Sequence, residues 1–248
     1  MVGLAGMNET WLLVGTAASL GVVHTLLGPD HYLPFIALAR AGAWSRAKAV
    51  TVTLLCGLGH LLTSVVLGLV GIALGVSLAR LEVIESVRGR TAAWLLIGFG
   101  LSYAGWGLWR ALSRRPHTHV HVHVTRDDRG EQQTLLHAHP HTHSGAHAHP
   151  HGNPARMTLW VLFMIFVFGP CEPLIPLLLY PAAQASWMGV GLVTVVFGAT
   201  TLLTMTGVVL LALAGIERVP FGALERYVHV LAGTTIAACG VAIQFLGV

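Results

Sequence analysis

Charge is scarce in this sequence: Asp, Glu, Lys and Arg make up only 10% of its 248 residues. A soluble domain carries about 25%, so there is too little polar surface to cover a globule in water, and a soluble enzyme is excluded. Cysteine is scarce too. Cys56, Cys171 and Cys239 all lie in apolar runs, which excludes a secreted disulfide framework. No Walker loop, nucleotide-binding glycine pattern or catalytic nucleophile set occurs, so no enzyme activity and no prosthetic cofactor is expected. The N-terminus lacks a basic leader region, and no cleavable signal peptide is expected. The net charge of +4 comes from short loops and is no sign of nucleic-acid binding.

What is abundant is apolar: 54% of the residues are hydrophobic, with a mean hydropathy of +0.72. Six long segments stand out, at 11–38, 48–77, 91–112, 157–182, 187–214 and 223–247. A run of about 20 apolar residues crosses a hydrocarbon core of roughly 30 Å as a helix. The runs are continuous and do not alternate, which disfavours a membrane β-barrel. The expected fold is therefore all-α, a polytopic bundle of about six spans in a lipid bilayer. A polar stretch at 113–156 divides it into a first repeat, 1–112, and a second, 157–248.

Orientation follows from basic residues in the loops. Eleven of the fourteen Lys and Arg fall in the 39–48 loop, the central segment and the 215–222 turn with their flanks; Arg80, Arg88 and Arg90 lie on the other side, beside Glu82 and Glu85. This places the central segment in the cytoplasm and both termini outside.

The halves resemble each other. Gly28-Pro29-Asp30-His31 aligns with Gly169-Pro170-Cys171-Glu172 at an offset of 141, and Gly57 and Leu61-Leu62-Thr63 align with Gly198 and Leu202-Leu203-Thr204. Three spans per half is an odd number, so the repeats are expected to be inverted. Inverted repeats with broken helices around a midplane site are typical of secondary transporters.

The ionisable residues inside the apolar runs carry the chemistry. His24, Asp30 and His31 lie deep in the first span, where such groups cost at least a few kcal/mol unless partnered or wet. Gly28-Pro29 is expected to break that helix, freeing carbonyls that protein, water or an ion must satisfy. His24 and His31 share one face of an unbroken helix. His60 lies in the second span, four residues after Cys56, and Cys171 and Glu172 lie between Pro170 and Pro173 in the fourth. Imidazole, carboxylate and thiolate together suit nickel, cobalt, zinc or copper; magnesium and calcium favour all-oxygen sites. The expected metal set is thus His24, Asp30, His31, His60, Cys171 and Glu172. His229, Cys239 and the Thr201, Thr204 and Thr206 patch read as structural.

Eleven of the fifteen histidines crowd into the central segment: His117, His119, His121 and His123, then His137, His139, His141 and His143, then His147, His149 and His151. Their alternation suits a short strand, but no apolar face exists to fold one, so the segment 113–156 reads as a disordered, metal-capturing tract. Neutral imidazoles bind such metals, and capture weakens as pH drops through about 6.5.

At His24, Asp30-His31 and the histidine-rich segment, the sequence resembles the nickel/cobalt transporter family. It is also similar to the urease- and hydrogenase-accessory membrane proteins of the broader lysine-exporter group, which includes thiol-redox carriers. The nickel/cobalt permeases have His, four residues, then Asp-His; here five residues separate His24 from Asp30. The resemblance implies transport of nickel or cobalt without ATP hydrolysis, and the ligand set also admits zinc or copper. Residues alone add proton coupling through Asp30 and Glu172, a mild bias to export, and a bacterial inner membrane. The expected partners are the metal ion, the bilayer, and a second copy of the chain or a metallochaperone. The competing readings are a thiol-redox carrier using Cys171 with Cys56, for which Gly169-Pro-Cys171 resembles the Pro-Cys step, and a metal-delivery accessory protein for hydrogenase or urease maturation.

Overall fold

Two Gly-Pro steps set the architecture. In the computed structural model α1 (Gly3–Leu27) stops one residue before Gly28, whose backbone is extended (φ −88°, ψ 94°), and a single 3-10 turn, Pro29–His31, leads into α2 (Leu33–Ala41). Pro29 has no N–H to continue the helix, and its ring pushes the preceding residue out of helical geometry. In the second half α5 (Pro154–Phe168) ends before Gly169, and α6 (Leu174–Ala183) starts after Pro173. The two breaks fall at the places the aligned Gly-Pro steps predict. The structure describes residues 3–113, 117–126, 132–141, 154–169, 171, 173–216, 218 and 222–246; residues 3–8, 154–157, 223 and both strands are described as backbone alone.

Each short post-break helix turns into a long one by the same device. Trp44 N–H bonds Ala39 O at 2.9 Å, and Ser186 N–H bonds Pro181 O at 2.9 Å. Between each pair lies an alanine with positive φ, Ala43 (47°) and Ala185 (54°), so both turns close as left-handed C-terminal caps. The long helices are α3 (Arg46–Ala73) and α4 (Leu78–Ser113) in the first half, and α7 (Trp187–Ile216) and α8 (Val228–Leu246) in the second. Five helices are long and apolar enough to cross a membrane. The α5–α6 pair, each member shorter, covers the fourth expected segment, 157–182. The apolar part of the protein is an all-helical membrane bundle. Large apolar side chains such as Trp11, Leu203 and Leu211 are at least 70% exposed, which suits hydrocarbon rather than water.

The halves pack reciprocally. The broken α1 lies on α7, and α5 and α6 lie on α3. At the α3–α7 crossing a Cβ on Gly57 would meet Leu202 at 2.6 Å, and one on Gly198 would meet Leu61 at 3.5 Å. These are the same pair of positions exchanged between halves, as a two-fold relation requires. α4 and α8 meet through glycines: a Cβ on Gly100 would sit 2.6 Å from Gly233 O and collide with Ala237 N.

Two expectations need amendment. The third span was expected to begin at 91, but α4 begins at Leu78, so the charged stretch 78–90 is helix rather than loop. Its charges lower the hydropathy without weakening helix formation, since Glu and Arg are good helix formers. The histidine-rich segment was expected to lack regular structure. Instead its backbone forms β1 (His117–Arg126) and β2 (Gln132–His141), paired antiparallel with His117, His119 and His121 opposite His141, His139 and His137. The two-residue alternation with Val and Thr favours extended backbone. His143, His147, His149 and His151 lie outside the described residues.

Gly100→Val is expected to destabilise the bundle by about 1–3 kcal/mol, because the obstructing atoms are backbone, whereas Gly98→Ala, with nothing within 4 Å of its added Cβ, should be near neutral. Thermal unfolding of the two purified variants in one detergent checks both.

Candidate metal centre

Three of the six expected residues meet beside the two breaks. Ligand atoms of His24, His60 and Cys171 all lie within 4.8 Å of one another. His24 comes from the last turn of α1, His60 from the middle of α3, and Cys171 from the break between α5 and α6. Cys171 Sγ is 3.8 Å from His24 Nε2. With metal–nitrogen bonds of about 2.0–2.1 Å and metal–sulfur bonds of about 2.3 Å, tetrahedral neighbours stand about 3.5 Å apart. The Cys171–His24 spacing is already close to that, and a shift of about 1 Å closes the rest.

His31 stands beside this triad. Its ring lies 4.7 Å from His24 and 5.2 Å from His60, centroid to centroid. Its Nδ1–H points at Asp30 Oδ1 and Gly28 O, both at 3.1 Å. His60 Nδ1–H donates to Phe166 O at 3.3 Å. In both rings the proton on Nδ1 leaves Nε2 with a bare lone pair, and both Nε2 atoms are buried with no hydrogen-bond partner. A buried acceptor without a partner carries the full desolvation penalty. A ring held by carboxylate or carbonyl at one nitrogen and open at the other is the usual presentation of a metal-ligating histidine. The donor set, two or three imidazoles and a thiol, fits a borderline-to-soft divalent ion.

His24, Asp30, His31 and His60 line one cavity of about 690 Å³, together with Gly169 and Pro173 beside the second break. Asp30 is not part of the triad; its resolved role is to accept from His31, orienting that ring. Cys171 is fully buried and His31 and His60 are each 3% exposed, so the centre is sheltered. Glu172 lies outside the described residues, and its expected part as a ligand is neither placed nor displaced.

Cys56 joins a packing cluster with Phe35, Leu96 and Met205, while Cys171 joins a different one with Leu174, Leu178 and Phe197. All three cysteines are free thiols. His229 bridges α8 to α4. Arg110 Nη1 donates to its Nε2 at 3.3 Å, so Nδ1 carries the proton and donates to Tyr103 Oη at 3.0 Å. Thr201 is buried in α7, with Oγ1 lacking a partner.

Sequence reasoning missed Glu85 and Arg88. They form an ion pair inside the bundle, and Glu85 is 1% exposed. Glu85 Oε2 accepts the N–H of Cys171 at 3.2 Å. Arg88 Nη2 donates to Gly169 O, Val167 O and Thr63 Oγ1 at 3.1, 3.2 and 3.0 Å. Only their three-residue spacing, which lets opposite charges meet on one helix face, marked them in the sequence.

Comparison with protein-family models, curated proteins and solved structures finds no match to this chain.

Asp30→Asn should weaken binding of Zn²⁺ or Co²⁺ by about 10–100-fold, the range for losing a partner that orients a ligating histidine. The measurement is competition with a chelating dye, on the full chain in nanodiscs with its eleven loop histidines replaced by alanine. Unchanged affinity would show that the Asp30–His31 contact does not serve a metal.

Proposed function

We propose that this protein is a secondary transporter that carries a divalent transition metal, nickel, cobalt or zinc, across a bacterial inner membrane. The observation that carries the reading is the sheltered group of His24, His60 and Cys171, in which residues from the two helix breaks meet a histidine of α3 within an apolar bundle. Unpartnered Nε2 atoms on His31 and His60 support it. So does the resemblance of His24 and Asp30-His31 to the nickel/cobalt transporter motif.

The chemistry is exchange of metal for protons. Cys171 binds as thiolate and the histidines bind as neutral rings, so an arriving ion displaces protons and a falling pH releases the ion. Asp30 and Glu172 are the carboxylates proposed to take up and deliver those protons. Alternating access would expose the centre first to one side and then to the other, as inverted repeats rock about a fixed site. Arg88 is engaged inside the bundle, which leaves still fewer basic residues on the side opposite the central segment. That supports a cytoplasmic histidine-rich segment, which would concentrate metal at the inner mouth and favour export.

Radiometal flux into proteoliposomes tests this. The full chain should move Ni²⁺, Co²⁺ or Zn²⁺ down a gradient, with counterflow of protons reported by an internal pH dye. The form with alanine at all eleven loop histidines should keep its maximal flux and need more metal to reach it. Asp30→Ala/His31→Ala and His60→Ala should reduce flux to the level of empty vesicles. Full activity in the Asp30→Ala/His31→Ala form would refute the proposed site, and no flux of any of the three metals in the parent would refute transport.

A further inference from the structure

The interior ion pair on α4 does more than neutralise itself. Ionisable groups within a membrane bundle are costly and usually serve a site or a pathway. A pair whose only need was neutralisation would be complete with its own three-residue contact. Here five further hydrogen bonds of the pair go to the second helix break or to the turn of α3 that follows His60. The last carbonyls of a helix have no partner within it, and in α5 these orphans lie inside the bundle. Phe166 O takes the Gly169 N–H and His60 Nδ1–H, while Val167 O, with the Thr63 hydroxyl beside it, and the following Gly169 O receive Arg88. Thr63 Oγ1, which also accepts from Arg88, lies 2.9 Å from His60 O. One guanidinium therefore ties the segment before Cys171 to the backbone of His60.

Glu85 completes the arrangement at the thiol itself. Its carboxylate holds the backbone N–H of Cys171, which fixes the direction in which that residue's side chain leaves the chain, and Sγ then faces His24 Nε2. The first break needs no such help: His31 N–H and Nδ1–H both reach Gly28 O, at 3.1 Å. The second break has no histidine of its own among the described residues, and the α4 pair takes that place.

We propose that Glu85 and Arg88 are positioning residues of the metal centre, holding the second helix break in the conformation that turns Cys171 toward His24. The assignment rests on the metal-centre reading for its purpose, but the geometry can be tested without a metal. Arg88→Lys keeps the charge but offers one ammonium where the planar fork bridges several acceptors. Glu85→Gln has one acceptor oxygen where the carboxylate serves Arg88 with one and the Cys171 N–H with the other, and Glu85→Ala removes both.

The test is alkylation of the metal-free full chain in nanodiscs by N-ethylmaleimide, with each cysteine followed separately by mass spectrometry. Arg88→Lys and Glu85→Ala should speed labelling of Cys171 by about tenfold or more, as a local opening does, and leave Cys56 and Cys239 at the parent rate. Glu85→Gln should speed labelling of Cys171 less than Glu85→Ala does. The same variants loaded with Co²⁺ should show a weaker thiolate-to-cobalt charge-transfer band per bound ion. Parent-rate labelling of Cys171 in both Arg88→Lys and Glu85→Ala would overturn the proposal. So would equal acceleration at all three cysteines, which is general loosening. A parent that binds no Co²⁺, with Cys171 alone accelerated in the variants, would retain the positioning role and remove the metal reading.

Discussion

A broken helix inside a bilayer leaves backbone carbonyls and amides that neither water nor lipid can satisfy. That constraint organises this protein. At the first break the freed Gly28 carbonyl is met by His31 itself, so capping the break and orienting an imidazole are one interaction. At the second, the freed carbonyls of Val167 and Gly169 are met by Arg88, and His60 adds a bond to Phe166 O. The groups that make the breaks tolerable are the groups that build and brace the cavity. Removing a break's partner would therefore disturb the fold and the site together.

The repeat is nearly symmetric in backbone and asymmetric in chemistry. Helix breaks, left-handed caps and the Gly57–Leu202 and Gly198–Leu61 contacts recur across the two halves. At the site the equivalents differ: Asp30 in the first half stands where Cys171 stands in the second, and His60 corresponds to Thr201. Symmetric packing gives two equivalent breaks at one depth, while asymmetric side chains give a single mixed nitrogen and sulfur pocket instead of two identical ones. A mixed pocket discriminates among metals by ligand softness.

Much of this was legible in the sequence because the membrane makes polar residues conspicuous. His24, His31, His60 and Cys171 each interrupt an apolar run, and their meeting followed from two Gly-Pro steps at matching positions. The limits were equally physical. Glu85 and Arg88 sit in a stretch whose low hydropathy mimics a loop, and nothing local reveals that α4 extends back to Leu78 and turns them inward. The part played by Asp30 was also hidden, since a buried carboxylate serves equally as ligand or as orienter until its neighbour is placed. In the central segment, strand propensity and the lack of a core pointed in opposite directions, and the pairing of β1 with β2 could not be read from composition.

The central claim is that His24, His60 and Cys171 form one metal-binding centre. X-ray absorption at the metal edge tests it most directly, on the full chain loaded with one equivalent of Co²⁺ or Zn²⁺ after its loop histidines have been replaced by alanine. The account predicts one sulfur at about 2.3 Å and imidazole nitrogens at about 2.0–2.1 Å, with the sulfur lost in Cys171→Ser. A first shell of light atoms alone, unchanged by that substitution, would contradict it.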